Sequence, residues 1–240
     1  MKHLILIVTL FIGLNGCAQK ELNHIPYVLE QLDLDIKNVK IDLIISKTRP
    51  DKPEETIVVI PEIAARETDY FALNSYILIT DTKTGKIKYN YFESAKTNEW
   101  VSDAVQLESI KIDTIPYTLA KNKNAFGINV FYRGSSVPNP FHYKTLSLFV
   151  VESKGLKNIL KNYTIESFSG EWTTSCAGEF TEQKKSISIS NKKTNKFFDL
   201  LIETTITENK AFINNDNDCE EKQTIRKEKN TLKYSEGKYY

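Results

Sequence analysis

Three cysteines, three histidines, nine glycines and one methionine in 240 residues leave little material for the commonest catalytic and metal-binding devices. A phosphate loop needs glycine-rich backbone followed by Lys and Ser or Thr. A zinc protease needs two His one helical turn apart, and a hydrolase elbow needs Gly-x-Ser-x-Gly. None of these occurs, and no cofactor is expected. With Met1 as the only Met, the Met-rich adaptable surface of promiscuous helix-binding proteins is excluded. Charge of one sign is scarce too: 32 Lys and Arg stand against 31 Asp and Glu, a formal net charge of +1. With no bulk basic field to draw it in, nucleic acid is not an expected partner. His142 lies close to Ser135 and Ser136, but neighbours within one loop rarely make a triad, so it reads as a solvated loop histidine.

Long apolar runs are equally rare. An uncharged run of eleven residues, Leu4 to Leu14, follows Met1-Lys2-His3 and leads directly into Asn15-Gly16-Cys17. As a helix, eleven residues rise about 16 Å, half of a hydrocarbon core of about 30 Å, so the segment reads as a cleaved signal peptide. Leu14-Asn15-Gly16-Cys17 resembles the lipobox of bacterial lipoproteins. That resemblance implies cleavage after residue 16, acylation of Cys17 and attachment to the membrane through a lipid anchor. Acyl chains contribute about 0.8 kcal/mol per buried methylene, so several hold firmly. No Asp follows Cys17 in Ala18-Gln19-Lys20-Glu21, which by the same resemblance implies the outer membrane of the cell envelope, its periplasmic or surface face left open.

Once Cys17 is acylated, Cys176 and Cys219 remain as a pair in an oxidising compartment, where a disulfide is the expected state. A metal site or catalytic thiol is the competing reading. It lacks support, because His3, His24 and His142 all lie far from either cysteine in sequence.

Residues 17–38 read as a tether, with one short helix around Tyr27 to Leu34, and residues 39–240 as a β-rich domain. Short segments with alternating or continuous apolar residues follow one another from Val39. The most secure pair flanks Asp81-Thr82-Lys83-Thr84-Gly85, where Gly85 supplies the positive φ that a tight hairpin needs. Phe198, Leu200, Ile202, Thr204 and Ile206 recur at every second position, the strand period. Only Gly155 to Asn162, with Leu156, Ile159 and Leu160 at helical spacing, asks for a helix, and a seam near residue 155 would divide the domain. The expected class is all-β: an antiparallel sandwich, barrel or partial propeller with one short helix.

Two loops are candidates for recognition. Residues 133–143 hold two Pro, two aromatics and a rare Arg, which nominates Arg133, Ser135, Asn139 and Phe141. Residues 169–178 add Glu171 and Trp172 beside Cys176. The alternative for Trp172 and Phe141 is burial against the sheet. Glu171 and Glu179 flank Cys176 and form the one carboxylate pair suited to glycan hydrolysis. Asn214-Asn215-Asp216-Asn217-Asp218 starts like a calcium loop but has Cys219 and Ile225 where that loop needs Gly and Glu, so it reads as a polar turn and no metal is expected.

The stretch Thr194 to Ile202, with Thr231 to Tyr234 and Gly237-Lys238-Tyr239, resembles the strand-turn-strand units of small propeller-like periplasmic lipoproteins, some of them immunity proteins that inhibit lysozyme-like toxins. The resemblance implies a binding or inhibitory role. Lys192, Lys193 and Lys196 occupy the acidic calcium loop of that group, so calcium binding does not carry over. Two expectations follow: a lipid-anchored envelope protein that binds a protein or glycan, or an envelope hydrolase using Glu171 and Glu179.

Overall fold

The computed structural model describes residues 24–153 and 155–240. The expected signal peptide, residues 1–16, and the expected acylation site Cys17 lie outside the described residues. The chain is all-β and entirely antiparallel. A first sheet contains β1 (Ile45–Arg49), β2 (Lys52–Arg66), β3 (Phe71–Asp81) and β4 (Ile87–Glu93) in sequential order, with β5 (Val101–Ser102) paired to β3. A second, seven-stranded sheet is an uninterrupted meander: β6 (Val105–Ala120), β7 (Lys123–Gly134), β8 (Phe141–Glu152), β9 (Gly155–Trp172), β10 (Gly178–Thr194), β11 (Phe197–Ile213) and β12 (Cys219–Leu232). The chain ends in a hairpin of β13 (Tyr234–Ser235) and β14 (Lys238–Tyr239). Of the three expected architectures the sandwich is the one observed. The second sheet curls until β6 touches β10 and β11, but it does not close into a barrel.

The two sheets face each other across Ile57, Val59, Leu73 and Ile77 on one side and Ile110, Ile128, Val130 and Phe149 on the other. Strands β7 and β8 are buried on both faces. Phe126 and Ile128 enter the first core, while Ala125, Leu146, Leu148 and Val150 enter a second core with Leu200, Ile202, Tyr234 and Tyr239. Burial on both faces explains why these strands read in sequence as continuous apolar runs.

The tether assignment needs correcting from Ile25 onward. Helix α1 (Ile25–Gln31), opened by a Pro in its first turn, packs Val28 and Leu29 against Val58, Ile60 and Leu78 on the outer face of the first sheet. Gln31 fastens it to the β3–β4 turn: its Nε2 donates to Gly85 O at 3.1 Å and its Oε1 accepts from Ile87 N at 2.9 Å. The turn itself is as expected, with Gly85 at φ 73°. A second one-turn helix, α2 (Ala95–Asn98), connects β4 to β5.

The helix expected over Gly155 to Asn162 is the start of β9. Opposite β8, Leu148 pairs with Leu160 and Phe149 with Asn158, so Ile159 is an extra residue. Further extra residues follow where Leu146 pairs with Tyr163 and Lys144 with Glu166. The first of these bulges, at Ile159, shifts the period of two and mimics helical spacing in Leu156, Ile159 and Leu160. The sheet also runs through Gly155 without a break, so no seam divides the domain there.

At its far end the meander leaves the body as an arm. Strands β10 and β11 are 17 residues each, about 55 Å at the strand rise. The Cys176–Cys219 disulfide, with Cα atoms 5.8 Å apart, joins the β9–β10 loop to the start of β12. Closing a separation of 43 residues contributes about 4 kcal/mol in the chain-entropy model.

Two outcomes are expected. Leu29→Ala, in a segment that would be silent as a tether, lowers the unfolding free energy by about 2–4 kcal/mol in urea titration. Replacing Cys176 and Cys219 together by Ser lowers it by about 2–4 kcal/mol, and limited proteolysis then cuts first between residues 172 and 220.

Candidate functional site

Residues opposite one another on adjacent strands share a face of the sheet. Arg133 of β7 pairs with His142 of β8, His142 with Phe168 of β9, Gly170 with Phe180 of β10, and Trp172 with Gly178. Phe131, two residues before Arg133, joins them on the same face. Rings from four strands therefore form a continuous row. Centroid separations are 5.5 Å for Phe131–His142, 5.1 Å for His142–Phe168, 6.0 Å for Phe168–Phe180 and 6.3 Å for Phe180–Trp172. All five side chains are half-buried.

Two glycines seat this row. A Cβ on Gly170 would lie 2.3 Å from the Phe180 ring, and one on Gly178 would lie 2.4 Å from the Trp172 Cβ. Each aromatic therefore packs over the glycine opposite it, a cross-strand pairing that substitutes ring contact for the missing side chain. The β7–β8 loop fixes the end of the row. Trp172 Nε1 donates to Val137 O at 2.8 Å, and the backbone N–H groups of Trp172 and Gly170 donate to Pro138 O and Pro140 O.

Charged groups border the rings in pairs. Lys144 Nζ lies 2.5 Å from Glu166, whose other oxygen is 3.8 Å from His142; Lys184 meets Glu182 at 2.6 Å. Arg133 pairs with Glu108 at 3.0 Å and lies 5.3 Å from the centre of the Phe131 ring. The hydrogen bond from Lys144 holds the Glu166 carboxyl below the usual range, whereas burial lowers the His142 imidazole despite the nearby carboxylate. Beside Phe131 the curved face opens into a trough of about 170 Å³ lined by Ser109, Lys111, Asn129 and Lys144. The buried Asn129 Oδ1 has no hydrogen-bond partner among the described residues.

The residues nominated from sequence divide between the two faces. Arg133 and Trp172 belong to the aromatic row. Ser135 and Asn139 are exposed in the loop, where Asn139 N donates to Ser136 Oγ at 3.1 Å. Phe141 and Glu171 point to the opposite face, Phe141 lying 5.7 Å from Tyr143. His142 is not a solvated loop residue but a strand residue sandwiched between Phe131 and Phe168. Sequence reading missed Phe131, Phe168 and Phe180. Their signal is the spacing of two in Phe131/Arg133, Phe168/Gly170/Trp172 and Gly178/Phe180, visible once these segments are known to be adjacent strands.

Glu171 and Glu179 are direct cross-strand partners on the face opposite the rings. Glu179 is exposed, and its hydrogen bond with Lys210 at 2.6 Å holds its carboxyl below the usual range. A general acid needs the contrary shift, which comes from burial. Glu179 is geometrically close to Glu171 but electrostatically unsuited to donating a proton.

Because burial lowers the His142 imidazole, the unfolded chain binds its proton first as pH falls through the ordinary imidazole range, and folding stability is lost as pH drops toward the lowered value. His142→Phe keeps the ring row and removes the titration. Thermal melts between pH 7.5 and 5 are expected to show a smaller loss of stability for His142→Phe than for the unsubstituted chain.

No family model, no curated protein and no solved structure matches this chain.

Proposed function

We propose that this chain is a lipid-anchored protein of the bacterial cell envelope, bound to the outer membrane through Cys17, that binds a glycan along the aromatic face of its second sheet. One observation carries the reading: Phe131, His142, Phe168, Phe180 and Trp172 form a half-exposed row held in place by glycines, a tied loop and a disulfide. Rigid aromatic surface of this kind binds at low entropic cost, since few rotors remain to be frozen. The polar trough favours a sugar over a protein side chain as its occupant. A pyranose ring has an apolar C–H face to set against Phe131 and hydroxyls around its rim to meet Ser109, Lys111, Lys144 and the unpartnered Asn129 oxygen. Binding alone needs no proton donor, so the arrangement of Glu171 and Glu179 is no obstacle to it.

The test is titration calorimetry of the purified chain with fragments of envelope polysaccharide, preceded by a glycan array to choose them. Phe168→Ala and Phe180→Ala are each expected to weaken binding about thirtyfold, near 2 kcal/mol, with the far-UV circular dichroism unchanged. Replacing Glu171 and Glu179 by Gln is expected to leave affinity within twofold. A silent array, together with a protein captured by crosslinking in a Phe168-dependent manner, transfers the same face to a protein partner. Turnover of a glycan that disappears in Glu171→Gln overturns the binding reading in favour of a hydrolase.

A further inference from the structure

The near-zero net charge conceals a strong polarity along the molecule. Successive turns of an antiparallel meander fall at alternate ends. At the end holding the turns after β6, β8 and β10, Lys121, Lys192, Lys193, Lys196, Lys233 and Lys238 are all exposed. The lysine ion pairs of the described residues involve none of these six. Contacts bring the cluster together: Asn195 Nδ2 donates to Tyr234 O at 2.9 Å, and Lys157 packs against Gly237. Carboxylates offset it only in part: Asp199 is buried, Asp51 is paired with Arg49 and Asp81 with Lys88, and the six lysines outnumber Glu54, Glu152 and Glu236, which remain at this end. The opposite end carries exposed Glu171, Asp216, Asp218, Glu220 and Glu221.

The first sheet locates the start of the fold at the basic end. Asp51 in the β1–β2 turn is hydrogen-bonded to Asn124 beside the β6–β7 turn, and Thr82 N donates to Glu54 O at 3.0 Å. His24 packs against Gly85 in the β3–β4 turn, which itself adds exposed Lys83 and Lys86. Seven residue steps lead from Cys17 to His24, a reach of at most about 25 Å, less than half the length of strand β10.

We infer that the lysine-bearing end rests on anionic phospholipid headgroups and that the aromatic arm points away from the membrane. The inference relies on the anchor part of the proposed function for its direction and on the exposed lysines for its chemistry. Several ammonium groups within a Debye length of a phosphate surface act together, and salt screens them. The arm then presents its ring face about 50 Å from the bilayer.

Vesicle flotation of the full chain carrying Cys17→Ala tests this without any acyl contribution, because the apolar N-terminal segment acts equally on every vesicle. Phosphatidylcholine vesicles containing phosphatidylglycerol are expected to bind the chain about tenfold more strongly than phosphatidylcholine alone, with the preference abolished by added salt. Replacing Lys192, Lys193 and Lys196 together by Glu is expected to remove the preference. The same reversal at Lys210, Lys222 and Lys227 is expected to keep at least half of it. No preference for phosphatidylglycerol, or equal loss in both triple variants, overturns the inference. Mass analysis of Cys17 in the unsubstituted chain separates the two readings. An acylated Cys17 with no headgroup preference overturns this inference alone, and an unmodified Cys17 with the preference intact overturns only the anchor.

Discussion

Burial of β7 and β8 on both faces is the constraint on which the rest of the fold depends. Two strands whose side chains are apolar above and below cannot stand at a surface, so each face requires its own cover. The first sheet covers one face through Ile57, Val59 and Leu73, and Leu200, Ile202 and the C-terminal tyrosines cover the other. The first sheet is then itself two-sided, since Val58, Ile60 and Leu78 face outward, and α1 covers them in turn. The layering of helix, sheet, sheet and terminal hairpin follows from one pair of strands.

The same constraint explains what is left uncovered. The cores end where β9 turns from Tyr163 toward Trp172, and beyond that point no other sheet or helix among the described residues packs on the meander. Stability in the arm comes from other sources: the disulfide at its tip, paired charges along its face, and aromatics laid over glycines. These give a surface that is rigid without being buried, which is what a recognition face requires. The unpaired edge of the sheet is managed by charge. Strand β12 is exposed along all but its last residue, and Glu220, Glu221, Lys222, Arg226, Lys227, Glu228 and Lys229 make the edge a poor template for another strand.

The all-β class, the β3–β4 hairpin with Gly85 and the cysteine pair were legible in the sequence because each depends on local chemistry: a period of two, a positive φ, an odd cysteine count. The start of β9 was not, because the bulge at Ile159 places Leu156, Ile159 and Leu160 at spacings that a straight strand does not produce. Helix α1 was legible to within a few residues, but its docking was not, because the polar residues around Ile25, Val28 and Leu29 read as a tether and not as the rim of a packed face. The candidate site was half legible. Arg133 and Trp172 drew attention as rare residues in loops, but the row they terminate is assembled across four strands. Its members Phe131, His142, Phe168 and Phe180 are unremarkable until the register places them side by side. Phe141 and Glu171, each adjacent in sequence to a member of the row, are turned to the other face by the alternation that creates it.

Separating the two proposed functions along the long axis would also resolve a conflict of charge. A surface drawn to anionic headgroups and a face that must remain open to a partner cannot occupy the same end, because the bilayer would cover the second while binding the first. Here the lysine-bearing turns lie at the end where the described chain begins, and the ring row lies on the arm that extends from the other. The acidic tip around Asp216 and Glu220 reinforces the arrangement, since it is repelled by the surface that attracts Lys192 and Lys196. A chain with nearly equal numbers of positive and negative groups can thus be directional, and the direction is set by which turns of the meander carry which sign.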